Sequence, residues 1–277
     1  MTLSARNVFF KGGIVFSVLS LSIIAACGYF AFEAFPKAAA RAALRPGGII
    51  QRLIADLAGP SAYVPLWAML GTAAFSLVSI ILIYYFFEKT QTPEILFIGL
   101  FVISLSFEFA RISIPLREVY AFPSVFIIAS SRILLFGRYF GLFSLFAAGI
   151  YAAGLDAQKQ QIFLLMLVLI ALLIAQNVPI DSQVWDSTFT LWSGYRSMLL
   201  AAEIGILLIT MMSFFISSRS RNSPSYVLTT IGILLVFAGR NILFNSDTWI
   251  TPIPGLIILA AGLWFVCSRL HLEYLWL

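Results

Sequence analysis

The sequence predicts an all-α, polytopic transmembrane helix bundle, and three observations predict it. Of the 277 residues, 61% are hydrophobic and only 10% are charged, against about 45–50% apolar and about 25% charged in an ordinary soluble domain. The mean hydropathy is +0.99 and 26 Phe and 6 Trp are present, an excess that suits side chains facing lipid as well as neighbouring helices. The apolar residues also fall into runs of about 17–25, the length that crosses a bilayer as a helix, with short polar breaks between them.

The first run, 12–32, follows Arg6 and Lys11 and reads either as a signal peptide or as a permanent first helix. Within it Ile24-Ala25-Ala26-Cys27 resembles a bacterial lipobox, in which cleavage would leave Cys27 lipidated. A retained span is the reading carried forward. Cys267 lies in the last apolar run, and the spacing of the two cysteines fits no metal or redox motif, so both read as small buried hydrophobes.

Residues 35–62 form the one sizeable interruption. Lys37, Arg41 and Arg45 recur every four residues among alanines and so share a helical face, until Pro46-Gly47-Gly48 breaks the pattern. Beyond the break, Ile49, Ile50, Leu53, Ile54 and Leu57 make an apolar stripe opposite Gln51, Arg52 and Asp56. The pattern predicts a helix lying on the membrane surface, with Lys37, Arg41, Arg45 and Arg52 near anionic lipid head groups. A solvated connector packed on neighbouring helices is the competing reading.

Further spans are expected at 63–87, 93–112, 122–136, 139–155, 162–178, 198–217, 226–244 and 253–268. These make nine with the first, or eight if the short segment 122–136, which carries Arg132, does not cross. The chain therefore divides into a first helix (1–34), the connector (35–62) and a multi-helix membrane region (63–277). Over nine alternating crossings, Lys37, Arg41, Arg45, Arg52, Arg111, Arg117, Lys159, Arg219, Arg221 and Arg269 fall on one side, and Arg6, Lys11, Lys89, Arg138 and Arg196 on the other. That bias predicts a plasma (inner) membrane protein with a cytoplasmic C-terminus, and an external 180–195 loop rich in Asp and Trp. Arg6 and Lys11 contradict the scheme unless the spans number eight.

The net charge of +5 and pI near 9.4 come from basic residues set singly at the ends of apolar runs, a distribution that orients a membrane protein and gives no nucleic-acid-binding face. An internal echo is also present. Pro123-Ser124 leads to Ile133-Leu134-Leu135-Phe136-Gly137-Arg138, and Pro224-Ser225 leads to Ile233-Leu234-Leu235-Val236-Phe237-Ala238-Gly239-Arg240. With Ala152-Ala153-Gly154-Leu155 echoed by Ala260-Ala261-Gly262-Leu263, the pattern suggests a parallel three-helix repeat, 93–155 and 198–268, of the kind some transporters use to build a substrate site.

Charges inside hydrocarbon are expensive and so are candidates for function. Glu108 and Arg111, three residues apart, share a helical face and are expected to neutralise each other. Arg132, Glu203, Arg240 and Asn241 complete the intramembrane polar set, with an interhelical pair of Glu203 and Arg132 or Arg240 as the sharpest expectation. The alternative for each is snorkelling to the head groups. Small residues at Gly137 and Gly141, Ala148 and Ala152, and Gly149 and Ala153 suit close packing and place the helix from Tyr139 inside the bundle.

No phosphate-cradling glycine loop, paired-histidine metal motif or nucleophile elbow is present, and the single histidine, His271, stands beside Glu273 near the C-terminus. Nothing in the sequence demands an enzyme, a cofactor or a metal. Three functions fit: a transporter- or permease-like protein that moves or binds a small solute within its bundle, a membrane sensor, scaffold or assembly subunit acting through its cytoplasmic loops on partner membrane subunits, or a membrane enzyme that uses Glu and Arg on lipid head groups, which no motif selects.

Overall fold

The computed structural model describes residues 3–42, 59–88, 92–220 and 225–275. Among them, eight helices are long and apolar enough to cross a membrane, and the chain is a multi-pass, all-α integral membrane protein. The elements are α1 (Leu3–Phe30), α2 (Phe35–Ala40), α3 (Val64–Phe87), α4 (Pro93–Ser104), a 3₁₀ stretch (Leu105–Ile112), α5 (Ser113–Tyr120), α6 (Ser124–Ala152) and α7 (Gln160–Asn177). They continue with a hairpin of β1 (Ile180–Trp185) and β2 (Leu191–Ser193), then α8 (Arg196–Ser220), α9 (Ser225–Phe244) and α10 (Pro252–Leu275).

The count is eight because 122–136 and 139–155, expected as two spans, form the single 29-residue helix α6. Gly137-Arg138 had the look of a polar break, but both residues are helical and lie at its midpoint. A continuous main-chain hydrogen-bond ladder is the only economical state of a segment in lipid, and an arginine can stay inside it when another helix supplies a counter-charge. Segment 93–155 therefore holds two crossings, α4–α5 and α6, whereas 198–268 holds three. Among the described residues the two segments thus differ in their number of crossings.

Eight crossings also change the sidedness. The connector and the 180–195 segment, expected on opposite sides, lie together: the Trp185 indole donates to the Ala38 carbonyl at 2.9 Å, and Phe35 packs edge-on against Phe189. Lys37 and Arg41 thus stand on the face opposite Arg6 and Lys11, and the Lys and Arg tally no longer favours either side. Arg6 and Lys11 lie within α1, which starts nine residues earlier than expected. Arg6 is buried and donates to the carbonyls of Phe87 (2.8 Å) and Glu88 (2.7 Å), capping the C-terminal end of α3.

The most enclosed span is 93–120, with 83% of its apolar window buried, followed by α6 with 61%. The small residues of α6 explain its central place. A Cβ on Gly137 would collide with Phe107, and one on Gly141 with the Ser104 hydroxyl, so their absence lets α6 lie directly against the 3₁₀ stretch and the end of α4. That stretch runs for eight residues, longer than such helices usually do. Pro115 follows it; a proline has no N–H for the carbonyl four residues back, which here belongs to Arg111. Buried hydroxyls support the break: Ser106 lies 2.9 Å from both Ser17 and Ser76, and Ser20 donates to the Ser106 carbonyl at 2.6 Å. α9 and α10 approach as closely through Gly239 and Gly262, where a Cβ on the latter would stand 2.7 Å from the Val236 nitrogen.

Of the basic connector residues, Lys37 is exposed on α2 and Arg41 forks onto the Glu118 carboxylate at 2.7 and 3.0 Å. Arg45 and Arg52, with the stripe from Ile49 to Leu57, lie outside the described residues. Cys27 and Cys267 are both free and half-buried, the former inside an unbroken α1.

Candidate functional site

The chemistry of the bundle gathers where α6, the 3₁₀ stretch, α9 and the hairpin meet. The expected pair forms: Arg111 Nη1 donates to Glu108 Oε2 at 3.0 Å, with both side chains essentially inaccessible. The pair lies within the bundle rather than at the end of a span. Arg138 completes it from α6, donating from Nε to Glu108 Oε1 at 2.9 Å and from Nη2 to Oε2 at 3.2 Å. Two guanidiniums thus hold one carboxylate, and the fork from Arg138 is the two-point geometry that planar guanidinium and carboxylate groups favour.

The hairpin closes this cluster from outside. Its turn is tied by Asp186, whose Oδ1 accepts from the main-chain nitrogens of Thr188 and Thr190 (both 3.1 Å) and from the Thr188 hydroxyl (2.6 Å). This is the local side-chain bonding that lets an aspartate shape a turn. Phe189 takes a left-handed backbone (φ 56) and is fully buried against Phe35. The turn so formed aims the Thr188 carbonyl at Arg111, which donates to it from Nε at 2.8 Å and also from Nη2.

Arg240 approaches from α9. Its Nη2 donates to the Arg138 main-chain carbonyl at 2.8 Å, and the guanidiniums of Arg138 and Arg240 lie 4.6 and 4.8 Å from the centre of the same Phe244 ring. The Gly-Arg landmarks of the two echoing segments therefore meet in space. Arg240 Nη1 is buried without a hydrogen-bond partner among the described residues.

Beside the cluster lies a partly open cavity of about 550 Å³, bounded by α6, α8, the end of α9 and the hairpin. Arg138, Tyr139, Arg196, Glu203 and Asn241 line it, with Ser131, Thr190 and Ser193. Arg196 stacks on Trp192 at 4.4 Å and makes a long contact to Asp186, 3.4 Å. Glu203 has no hydrogen bond or ion pair among the described residues, although Arg138 and Arg240 are near enough to act on it electrostatically. The expected pairs of Glu203 with Arg132 or Arg240 are not made. Arg132 is half-buried, does not line the cavity, and keeps an Nε without an acceptor among the described residues.

Of the six intramembrane residues expected from sequence, Glu108, Arg111 and Arg240 enter the buried network, Glu203 and Asn241 face the cavity, and Arg132 does neither. Sequence reasoning missed Arg138, taken as a loop charge, and Arg196, taken as an orienting one. The signal for Arg138 was present: it follows Gly137 as Arg240 follows Gly239. Among the described residues no group of histidine, cysteine, aspartate and glutamate has the arrangement of a metal site.

No protein family matches the chain, and no solved structure matches it. Among curated proteins, an uncharacterized protein of Treponema pallidum (strain Nichols) is 22% identical over 282 aligned positions, covering 84% of this chain and 82% of that protein.

Proposed function

We propose that this protein binds a small polar solute inside its helix bundle and carries it across the membrane. The observation behind this reading is the cavity, which extends from the hairpin to Arg138, the middle residue of a helix that crosses the bilayer. Charged side chains at such depth are costly and tend to mark solute or ion paths, and here Arg138 and Glu203 border open space instead of being packed away. The volume of about 550 Å³ is within the roughly 300–1,000 Å³ of small-molecule sites.

Residence in the plasma (inner) membrane with a cytoplasmic C-terminus belongs to the same proposal. Asp181, Trp185, Asp186 and Trp192 suit an external hairpin, and Arg219 and Arg269 lie toward the opposite face. The exposed Lys37 is then available to lipid phosphates. A second reading, a sensor or assembly subunit, draws support from the cap that α2 and the hairpin build through Trp185, Ala38, Phe35 and Phe189, since it offers an ordered surface to partner subunits.

The test is flux into proteoliposomes from a panel of amino acids, peptides, sugars, organic anions and organic cations, comparing the native chain with Ser193→Trp, which puts an indole in place of a small side chain of the cavity wall. Saturable uptake of any member, lost in that variant, supports the reading. Absence of both uptake and binding across the panel removes it and leaves the second.

A further inference from the structure

We infer that the cavity takes a zwitterion of amino-acid or short-peptide size, its anionic group held by Arg138 and Arg196 and its ammonium by Glu203. This deepens the proposed function and rests on it. A guanidinium has five N–H donors. Arg138 commits Nε and Nη2 to Glu108, so Nη1 is left for the cavity that the side chain lines. Among the described residues Arg196 makes one polar contact, the long one from Nη2 to Asp186, and its side chain is one-third exposed, so the guanidinium keeps donors for the cavity that it lines. Each arginine is therefore anchored by a carboxylate from behind, Glu108 or Asp186, and keeps unused donors. Such pre-oriented guanidiniums recognise carboxylate and phosphate groups.

Glu203 supplies the opposite sign. It stands seven residues after Arg196 on α8, about two helical turns and roughly 10 Å along the axis, and both line the cavity, as do Leu199 and Leu200 between them. The wall thus presents a cation, an apolar step and a carboxylate in order. A pure anion would meet Glu203 unfavourably, and a pure cation would meet the two arginines. A solute bearing both charges satisfies both ends, while Tyr139 and Asn241 offer neutral hydrogen bonds.

The experiment measures thermal stabilisation and equilibrium binding of the purified full chain in nanodiscs. The probes are the proteinogenic amino acids, alanylalanine and 6-aminohexanoate, each with its N-acetyl and C-amide derivative, alongside sugars, simple carboxylates and simple amines. The expected result is that at least one zwitterion binds, and that acetylating its amine or amidating its carboxylate weakens it roughly tenfold or more, the value of one charge-assisted hydrogen bond. In Glu203→Gln the penalty for acetylation should vanish while the penalty for amidation persists; in Arg196→Gln the reverse should hold, with Arg196→Lys restoring part of the discrimination. Melting without ligand shows that each variant is folded.

If the N-acetyl or carboxylate-only probes bind as well as the zwitterion, or if sugars or amines bind and zwitterions do not, the inference is overturned while solute binding stands. If nothing in the panel binds or is transported, the proposed function falls with it.

Discussion

Arg111 donates twice to the main-chain carbonyl of Thr188, so the tip of the hairpin between α7 and α8 is bonded to the buried centre of the bundle. Arg111 also donates to Glu108, and its removal would orphan a carbonyl and leave a buried carboxylate with Arg138 alone. Arg111→Met should cost about 3–5 kcal/mol, the usual penalty for breaking a buried ion pair from one side. Unfolding by dodecyl sulfate in mixed micelles measures it. A loss under about 1 kcal/mol would mean that the hairpin and the network are energetically independent.

Glu108 and Arg138 come from segments 30 residues apart and share one two-point contact. A double-mutant cycle with Glu108→Gln and Arg138→Gln should show a coupling above about 1 kcal/mol, since groups in one charged network do not behave additively. Additive losses would show that each is held by other neighbours.

Gly137 abuts Phe107, and an added Cβ has no room there, whereas Gly12 has nothing within 4 Å. Gly137→Ala should therefore destabilise by about 1–3 kcal/mol through overpacking, and Gly12→Ala should be neutral or slightly stabilising, because alanine is the better helix former. Equal effects at the two positions in the same unfolding assay would contradict the packing described.

Ser197 lines the cavity, while Ile257 is 61% exposed on the outer surface of the bundle. On a background with Cys27 and Cys267 replaced by alanine, Ser197→Cys should react with a charged, membrane-impermeant thiol reagent added on the hairpin side, and Ile257→Cys should not. Mass spectrometry of intact protein reads the modification. Failure of Ser197→Cys to react would mean that the cavity is closed to that face.

Most of the bundle was legible in the sequence because hydropathy and length are local signals. Seven of the expected spans coincide with described helices, and the i, i+3 spacing of Glu108 and Arg111 was enough to foretell their pairing. What failed was non-local. Gly137-Arg138 looks like a loop when only its own neighbours are considered, since nothing nearby in sequence neutralises the arginine; its counter-charge lies on the 3₁₀ stretch. That one misreading reversed the relative sidedness of the connector and the hairpin. The hairpin itself was read as a plain loop because its order depends on Asp186 folding the turn and on Phe35 receiving Phe189, contacts to be found only once the chain is folded. Glu203 and Asn241 were recognised as polar residues in apolar helices, but that they would face an opening followed only from the way α6, α8 and α9 pack.

The placement of Arg138 halfway along α6 has an electrical consequence. From Ser124 to Arg138 is 14 residues, about 21 Å of helix at 1.5 Å per residue, and the cavity runs beside the inner part of that path. A space of this size that Arg138, Arg196, Glu203 and Asn241 line holds water, and water conducts the potential inward from the hairpin face. The voltage would then fall over the length that remains between Arg138 and the far ends of α6 and α9. A monovalent charge crossing that remainder meets its share of the electrical work, about 2.3 kcal/mol per 100 mV for a whole crossing, over a shorter distance.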